Sequence, residues 1–349
     1  MSEGHLWLAL DLRSMSSPSP GRPARRATIL DVAAAAGVSR QTVTRAMNDM
    51  PGIKQETRQR VQELARELGY TPSRYAKGLV QGARTSVGLA IPDLTNPYFP
   101  AFASSVVEMA TLRGWNVVVD DFGHGSGSGL DAVERLAPQV DAVIGYLGSH
   151  AAEAQALLGH RPVVVLDDPE GVSAGRISFD YPYAAGLGLE HLSGDARARI
   201  AYLDAGPVTQ LSARGVAVTQ AAADLDIELT VVHAGQSAEA ACAAVQALLS
   251  EQPAVDGLLV FNDLMAAGAL KALAAHGRSV PGDCAVIGMD GIPLGVLVTP
   301  ELTTLSLDLR EVGRAAVDLL AGLLSGVILP ESAAARRVLR HELVIRESA

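Results

Sequence analysis

The sequence predicts a two-part molecule: a small all-α module joined by a hinge to a larger α/β body of two doubly wound parallel-sheet subdomains. Three observations carry that expectation. Charge is split along the chain, with 12 Lys/Arg against 5 Asp/Glu in residues 22–84 (net +7) and 15 against 31 in residues 85–349 (net −16). A glycine-punctuated helical pattern occupies the basic part. Buried-type strands alternating with Ala- and Leu-rich helices fill the acidic part, and 349 residues suffice for two or three domains.

Composition excludes several classes. Apolar residues at 48% and charged residues at 19% describe a globular chain, not a disordered one. Two cysteines, Cys242 and Cys284, cannot make a disulfide framework or a zinc site. No uninterrupted apolar stretch of about 18 residues is present, so no membrane span is expected. There is no HExxH, GxSxG or P-loop, and the eight histidines are scattered. HGSGSG (124–129) is plain Gly/Ser alternation, unlike a phosphate cradle entering a helix. Neither catalysis nor a cofactor or metal is expected. The whole-chain charge of −10 argues against nucleic acid, and only the split by segment points to polyanion binding at one end. A basic, solvated helical bundle would show the same split.

Residues 1–27 read as a disordered tail. Their apolar run Leu6–Leu10 is too short for a signal-peptide core, follows Glu3, and has no small-x-small site after it. Met15 is a second candidate start, and the missing export signal leads to an expected cytoplasmic location.

The module begins at Thr28, an N-cap for ILDVAAAA with Asp31 at the positive helix end. Ile29, Val32, Ala33 and Ala36 recur at helical spacing, and Gly37 ends the helix as a left-handed C′ residue. Val38 is an apolar plug, and Ser39 caps RQTVTRAMND. In this second helix Val43 and Met47 face inward, Gln41 and Arg45 share the outer face, and Arg40 stands at the N-terminus. A third helix over Glu56–Leu68 carries the stripe Val61, Leu64, Ala65 and Leu68. Helix, glycine turn and a second helix exposing Arg, Gln and Arg is the layout of a helix-turn-helix, whose second helix enters the DNA major groove. Arg pairs bidentately with guanine, Gln with adenine, and Thr methyls touch thymine. A generic three-helix bundle is the alternative. Residues 73–84 follow as a hinge or a plain linker.

In the body the expected strands are 87–91, 116–119, 142–147, 162–166, 199–203, 257–261 and 285–289. Helices are expected over Phe102–Leu112, Tyr183–Leu192, Ala238–Leu249 and Leu264–Ala275. Open parallel sheets bind ligands beyond the carboxyl ends of their strands. There stand Asp93 to Phe99, Asp167-Asp168, Asn262-Asp263 and Asp290, a set suited to a hydroxylated ligand gripped by hydrogen bonds and a ring face. Such residues equally cap the next helix, a role that fits Asp263.

These segments carry a resemblance. TILDVAAAAGVSRQTVTRAMND, then ETRQRVQELARELGYTPSRYAKGL, is similar to the headpiece and hinge of the LacI/GalR family of bacterial transcription regulators. IPDLTNPYF, DYPYAAGLGLEHL, FNDLMAAGALKAL, VPGDCAVIGMDGIPL and LTTLSLDLREVGRAAVDLL resemble its successive effector-domain blocks, so the likeness runs from Thr28 to the C-terminus. It implies a headpiece over 28–72, a hinge helix over 73–84 and a periplasmic-binding-protein-like effector and dimerisation domain over 85–349. Chain crossings near 180, 307 and 331 would give an N-subdomain of 85–180 and 308–330 and a C-subdomain of 181–307 and 331–349. The hinge helix of the family forms on operator DNA and wedges a leucine into the minor groove, here Leu79.

The implied DNA contacts are Arg40, Gln41 and Arg45 to bases, Ser39, Thr42 and Thr44 to phosphates or methyls, and Thr28, Ser73, Arg74 and Ala76 beside them. The implied effector cleft is lined by Tyr98, Phe99, Asp167, Asn262 and Asp290. There are departures. Lys54 replaces a capping Ser or Thr, and Gly78 weakens the hinge helix by about 1 kcal/mol. Val216 stands where a basic residue grips the ligand, leaving Arg214 as its substitute. Gln236 replaces a floor aromatic, and Gly291 a second acid. The implied function is a repressor, a homodimer on a near-palindromic double-stranded operator, controlled by a small effector such as a carbohydrate. An unusual or missing effector is the expectation these departures raise. A transporter's solute-binding protein and a sugar-processing enzyme are the competing classes.

Overall fold

The computed structural model describes residues 29–47, 51–68, 84–123, 127–167, 175–194, 197–206 and 208–349. Contacts divide the chain into two units, Met1–Ala83 and Arg84–Ala349.

In the first unit α1 (Ile29–Ala36), α2 (Arg40–Met47) and α3 (Gln55–Glu67) pack on one another. Gly37, at φ 65°, turns the chain between α1 and α2, and the Val38 N–H donates back to the Ala33 carbonyl at 3.1 Å. Ser39 Oγ accepts the Thr42 N–H at 3.1 Å, which caps α2. The core is small: Val32, Ala33, Ala36, Val43, Ala46, Val61 and Ala65, with Val38, Met47, Ile53 and Leu64 packed against it. Ala46 rather than Met47 is fully buried on α2. Leu68 does not extend the stripe of α3; it is the C-cap and 41% exposed. Lys54 provides no side-chain cap to α3, whose Gln62 amide instead donates to the Ala46 carbonyl at 3.1 Å. The expected tail, the Thr28 cap and the hinge with Ser73, Arg74, Ala76, Gly78 and Leu79 lie outside the described residues.

The second unit runs β1 (Ser86–Ile91), α4 (Tyr98–Leu112), β2 (Asn116–Asp121), α5 (Gly129–Leu136), β3 (Ala142–Gly145), α6 (Ala151–Leu158), β4 (Val163–Leu166) and β5 (Gly175–Phe179). It continues with α7 (Tyr181–Gly194), β6 (Ile200–Asp204), α8 (Ala213–Asp224), β7 (Leu229–His233), α9 (Ala238–Glu251), β8 (Gly257–Val260), α10 (Asp263–Ala275), β9 (Ala285–Asp290), β10 (Thr303–Ser306), α11 (Leu309–Leu324), β11 (Arg336–Leu339) and β12 (Glu342–Val344). One six-stranded sheet has the order β11-β5-β4-β3-β1-β2, parallel throughout. The other has the order β12-β10-β9-β8-β6-β7, parallel except for β12 against β10.

Alternation along β1 sends Val87, Leu89 and Ile91 to the face under α4 and α11 and Ala90 to the face under α5 and α6. In the second sheet Ile200 and Tyr202 meet α7 and α8, and Ala201 and Leu203 meet α9 and α10. The middle of each sheet is covered on both faces, which is why β1, β3, β4, β6, β8 and β9 read as continuous apolar runs.

The chain passes between the sheets at Asp180, at Leu307-Asp308 and at Arg340-His341. The third crossing was expected near 331 and lies further on. Arg336 to Leu339 pair in parallel with Arg176 to Phe179, so this segment belongs to the first sheet. Its exposed edge position tolerates three arginines within RRVLR, and that hides the strand from a hydropathy pattern. Among the described residues no helix is long and apolar enough to cross a membrane, and no group of three His, Cys, Asp or Glu could hold a metal ion.

Candidate functional site

The basic unit exposes Ser39, Arg40 and Gln41 at the start of α2 and leaves Thr42, Thr44 and Arg45 half-buried. Ser39 is engaged as the cap and lies 2.9 Å from Thr42 Oγ1, while Thr44 Oγ1 donates to the Arg40 carbonyl at 3.1 Å. These hydroxyls therefore shape the helix start, and Arg40 and Gln41 are the side chains presented to solvent. Arg45 folds toward the loop after α2: a Cβ on Gly52 would meet its Nη1 at 3.1 Å.

In the second unit a cleft of about 460 Å³ opens beyond the strand ends, between the two sheets. Tyr98, Phe99, Asp167, Arg214, Gln236 and Asn262 line it, and Asp290, the last residue of β9, stands beside Arg214. The structure thus brings the seven expected effector residues to one place. Asn96 Oδ1 accepts the Tyr98 N–H at 3.1 Å and starts α4. Tyr98 Oη lies 2.6 Å from Tyr146 Oη, and Phe99 meets the Tyr146 ring edge-on at 5.3 Å. Burial pushes the Tyr98 and Tyr146 hydroxyls well above the usual phenol range, so both stay protonated donors.

Arg214 is the one Lys or Arg among the described lining residues. Its Nη1 donates to the Phe261 carbonyl at 2.6 Å, its Nη2 lies 3.0 Å from Asp290 Oδ1, and its guanidinium covers Phe261 at 4.6 Å and Tyr181 at 5.3 Å. Val216, two residues on, is 56% exposed and outside the cleft. α8 presents Arg214 because buried Asp204 organises the turn ahead of it: its carboxylate accepts the Ser212 N–H at 2.9 Å and the Ser212 hydroxyl at 2.5 Å. Ser212 Oγ in turn caps the helix by accepting the Gly215 N–H at 2.9 Å.

Burial raises the Asp290 carboxyl to about 6 against the pull of Arg214. Burial, and then Asp290, raise Asp263 to about 7, although Thr304 and the Ile292 N–H donate to its carboxylate at 2.6 and 2.9 Å. Asp167 and Asp290 hold φ of 58° and 116°, strained values for non-glycine residues that aim both carboxyl-bearing positions from strand ends. Gly291 turns at φ 73° and a Cβ there would overlap Ser306, so a second acid has no room. The helix cap expected of Asp263 belongs to Asn262, whose Oδ1 accepts the Met265 N–H at 2.8 Å; Asp263 instead ties α10 to β10.

Tyr146, Tyr181 and Ser212 line the cleft without having been singled out. Tyr146 follows β3 directly, but the strand expected over 142–147 takes it in, so the strand-end rule passes over it. Tyr181 follows a strand too polar to be read as one, and no signal was available there.

The family model for bacterial regulatory proteins of the lacI family matches residues 28–73, and that for a periplasmic binding protein-like domain matches residues 189–349. A ribose operon repressor of Halalkalibacterium halodurans is 32% identical over 84% of this chain and 89% of its own length. The transcriptional regulator MalR of Streptomyces coelicolor is 33% identical over 92% and 96%. A LacI family regulator of Arthrobacter sp. FB24, solved in complex with lactose, is 62% identical with a TM-score of 0.75, covering 76% of this chain and 100% of that one. The lac repressor dimer bound to operator and the anti-inducer ONPF is 29% identical with a TM-score of 0.69, covering 93% and 99%.

Proposed function

The chain belongs to the lacI family of bacterial regulatory proteins, and from that premise we propose that it represses transcription until a lactose-like disaccharide occupies the cleft. It is a DNA-binding regulator acting as a dimer on operator DNA, not an enzyme and not a transporter's binding component. The observation that carries the effector reading is the cleft itself: the rings of Tyr98, Phe99 and Phe261, the carboxylate of Asp167, and one cation, Arg214, paired with buried Asp290. Carboxylates bind sugar hydroxyls as acceptors and rings cover the apolar sugar face. The 62% identical relative that holds lactose supports a working pocket rather than an eroded one. A cytoplasmic location fits a protein that works on DNA.

On the DNA side, Arg40, Gln41 and Arg45 read bases in the major groove, with Ser39, Thr42 and Thr44 beside them. Thr28, Ser73, Arg74, Ala76 and Leu79 complete the proposed contacts from outside the described residues. Effector binding favours a relation of the two subdomain pairs in which the hinges no longer fit a near-palindromic operator together, a coupling of about 1–3 kcal/mol or roughly 5- to 150-fold in operator affinity.

Fluorescence anisotropy on DNA from the gene's own upstream region, with and without lactose, tests this. Salt-sensitive, sequence-selective binding that lactose weakens is expected; binding indifferent to DNA sequence overturns the regulator reading, and a response to no sugar overturns the effector reading. Arg40→Ala and Gln41→Ala should each reduce discrimination between operator and mismatched DNA by about 1–3 kcal/mol. An equal loss on all DNA would make them phosphate contacts.

Sugar binding should also depend on pH. Asp290 holds the cleft's Arg214 as a carboxylate, and that group takes its proton near 6. Calorimetric affinity should be flat above that point and fall about tenfold per pH unit well below it. Constant affinity down to pH 4.5 would remove Asp290 from recognition.

A further inference from the structure

The chain crossings contain a side chain that the effector reading does not use. His341 lies in the link between β11 and β12, 1% exposed, and neither ring nitrogen has a hydrogen-bond partner. Its ring stands 5.9 Å from Tyr181 at a 34° tilt and 6.1 Å from Phe179 at 72°. Those two residues flank the first crossing, where Arg340 Nε reaches Asp180 at 2.9 Å and its guanidinium covers Tyr183 at 4.8 Å. The third crossing is thereby clamped to the first, and Tyr181 in turn carries the Arg214 guanidinium on its ring. Two backbone straps, an imidazole, a tyrosine and the cleft's cation form one continuous contact.

We propose that His341, as an uncharged ring, is a positioning residue for effector recognition: it backs Tyr181, and Tyr181 holds Arg214 in the cleft. The role rests on the effector reading and extends it from the cleft wall to the crossing behind it. A phenyl or aliphatic side chain would fill this place without leaving two nitrogens unsatisfied. The imidazole therefore adds acid sensitivity to what is otherwise a packing contact.

The groups facing His341 set the sign. Burial pushes its pKa down to about 3, the charge of Arg214 on α8 pushes the same way, and Asp180 on the first crossing opposes both. Tyr181 stays protonated because burial raises its pKa. Arg340 and Glu342 are the chain neighbours on either side. In the unfolded chain the ring takes a proton below about 6.5. The stability linked to neutral His341 is thus intact above that value and lost as pH falls toward 3. Between pH 7.5 and 5.0 the folding equilibrium should drop about 30-fold from this group, or roughly 2 kcal/mol. Asp263 and Asp290, raised by burial, act with the opposite sign over the same range, so only a comparison with a variant isolates the histidine.

The test uses the full chain with His341→Phe and His341→Ala. At pH 7.5, His341→Phe should bind lactose within about threefold of wild type, and His341→Ala should bind roughly tenfold more weakly. Urea unfolding at pH 7.5 and 5.0 should show the 30-fold acid loss in wild type relative to His341→Phe. Lactose affinity of His341→Ala equal to wild type, or an unfolding equilibrium equally acid-sensitive in His341→Phe, would overturn the proposal. If His341→Ala does not fold, His341→Leu takes its place, with an affinity loss of several-fold expected and none overturning. A wild-type protein that binds no sugar fails the effector reading instead. The near-UV tyrosine circular dichroism of the unliganded variants then decides the positioning role. A band altered in His341→Ala and retained in His341→Phe supports it, and identical spectra refute it.

Discussion

Arg214→Met should cost the protein its sugar response while leaving operator binding intact. Removing one member of a buried charge pair costs about 2–5 kcal/mol of affinity when the pair meets the ligand, a loss of roughly 30-fold to several thousandfold. The guanidinium also holds the Phe261 carbonyl and the faces of Phe261 and Tyr181, so methionine replaces neither the hydrogen bond nor the cation–π contacts. Stability should fall as well, because Asp290 would remain buried without its partner, a change worth about 3–5 kcal/mol where the charge cannot escape. Here it can: the Asp290 carboxyl already titrates at about 6, and losing Arg214 raises it further. The destabilisation should therefore be clear at pH 8 and small at pH 5. Calorimetry with lactose and urea unfolding at both pH values check the two halves, and Arg214→Met/Asp290→Asn should recover stability without recovering binding. Unchanged lactose affinity in Arg214→Met would place the sugar elsewhere.

Val43→Asp should do the reverse and abolish operator recognition while sparing the sugar. The core of the basic unit is seven small side chains, and Val43 is fully buried among them. An unpaired carboxylate there has no cationic partner in the cluster, and its desolvation exceeds what so small a core can supply. Operator affinity should fall by more than about 10³-fold, toward or below non-specific binding. Lactose affinity should match wild type, because the cleft is built wholly from residues after Arg84. Retained operator binding would mean that the headpiece does not fold around Val43.

Much of the DNA-reading unit was open to inspection because its signals are local. Gly37 and Ser39 act within a few residues of themselves, as turn and cap, and the spacing of Val32, Ala36 and Val43 states which faces meet. The misses there were at helix ends, where Leu68 is a cap rather than a core residue. In the body, strands that are apolar runs announce themselves, whereas those broken by polar residues do not. β5, β7, β10, β11 and β12 passed unread, and with β11 went the place of the third crossing and the setting of His341.

The cleft divides in the same way. Tyr98, Asp167, Asn262 and Asp290 were visible as polar or aromatic residues at the ends of apolar runs. That Arg214 reaches the cleft as a substitute for the basic residue missing at Val216 was undecided, since only the direction of α8 brings it there.

The sequence by itself determined the two-part plan, the charge division that places DNA at one end, the helix-turn-helix and the alternation of strands and helices. Each rests on periodicity or on a residue's own backbone preference. Only the tertiary structure decided the pairing of Arg214 with Asp290, the exclusion of a side chain at Gly291, the tie from Asp263 to Thr304 and the contact of His341 with Tyr181. Those depend on residues distant in the chain arriving at one point, and the pKa of a buried carboxyl or imidazole is set by that arrival rather than by its neighbours in sequence.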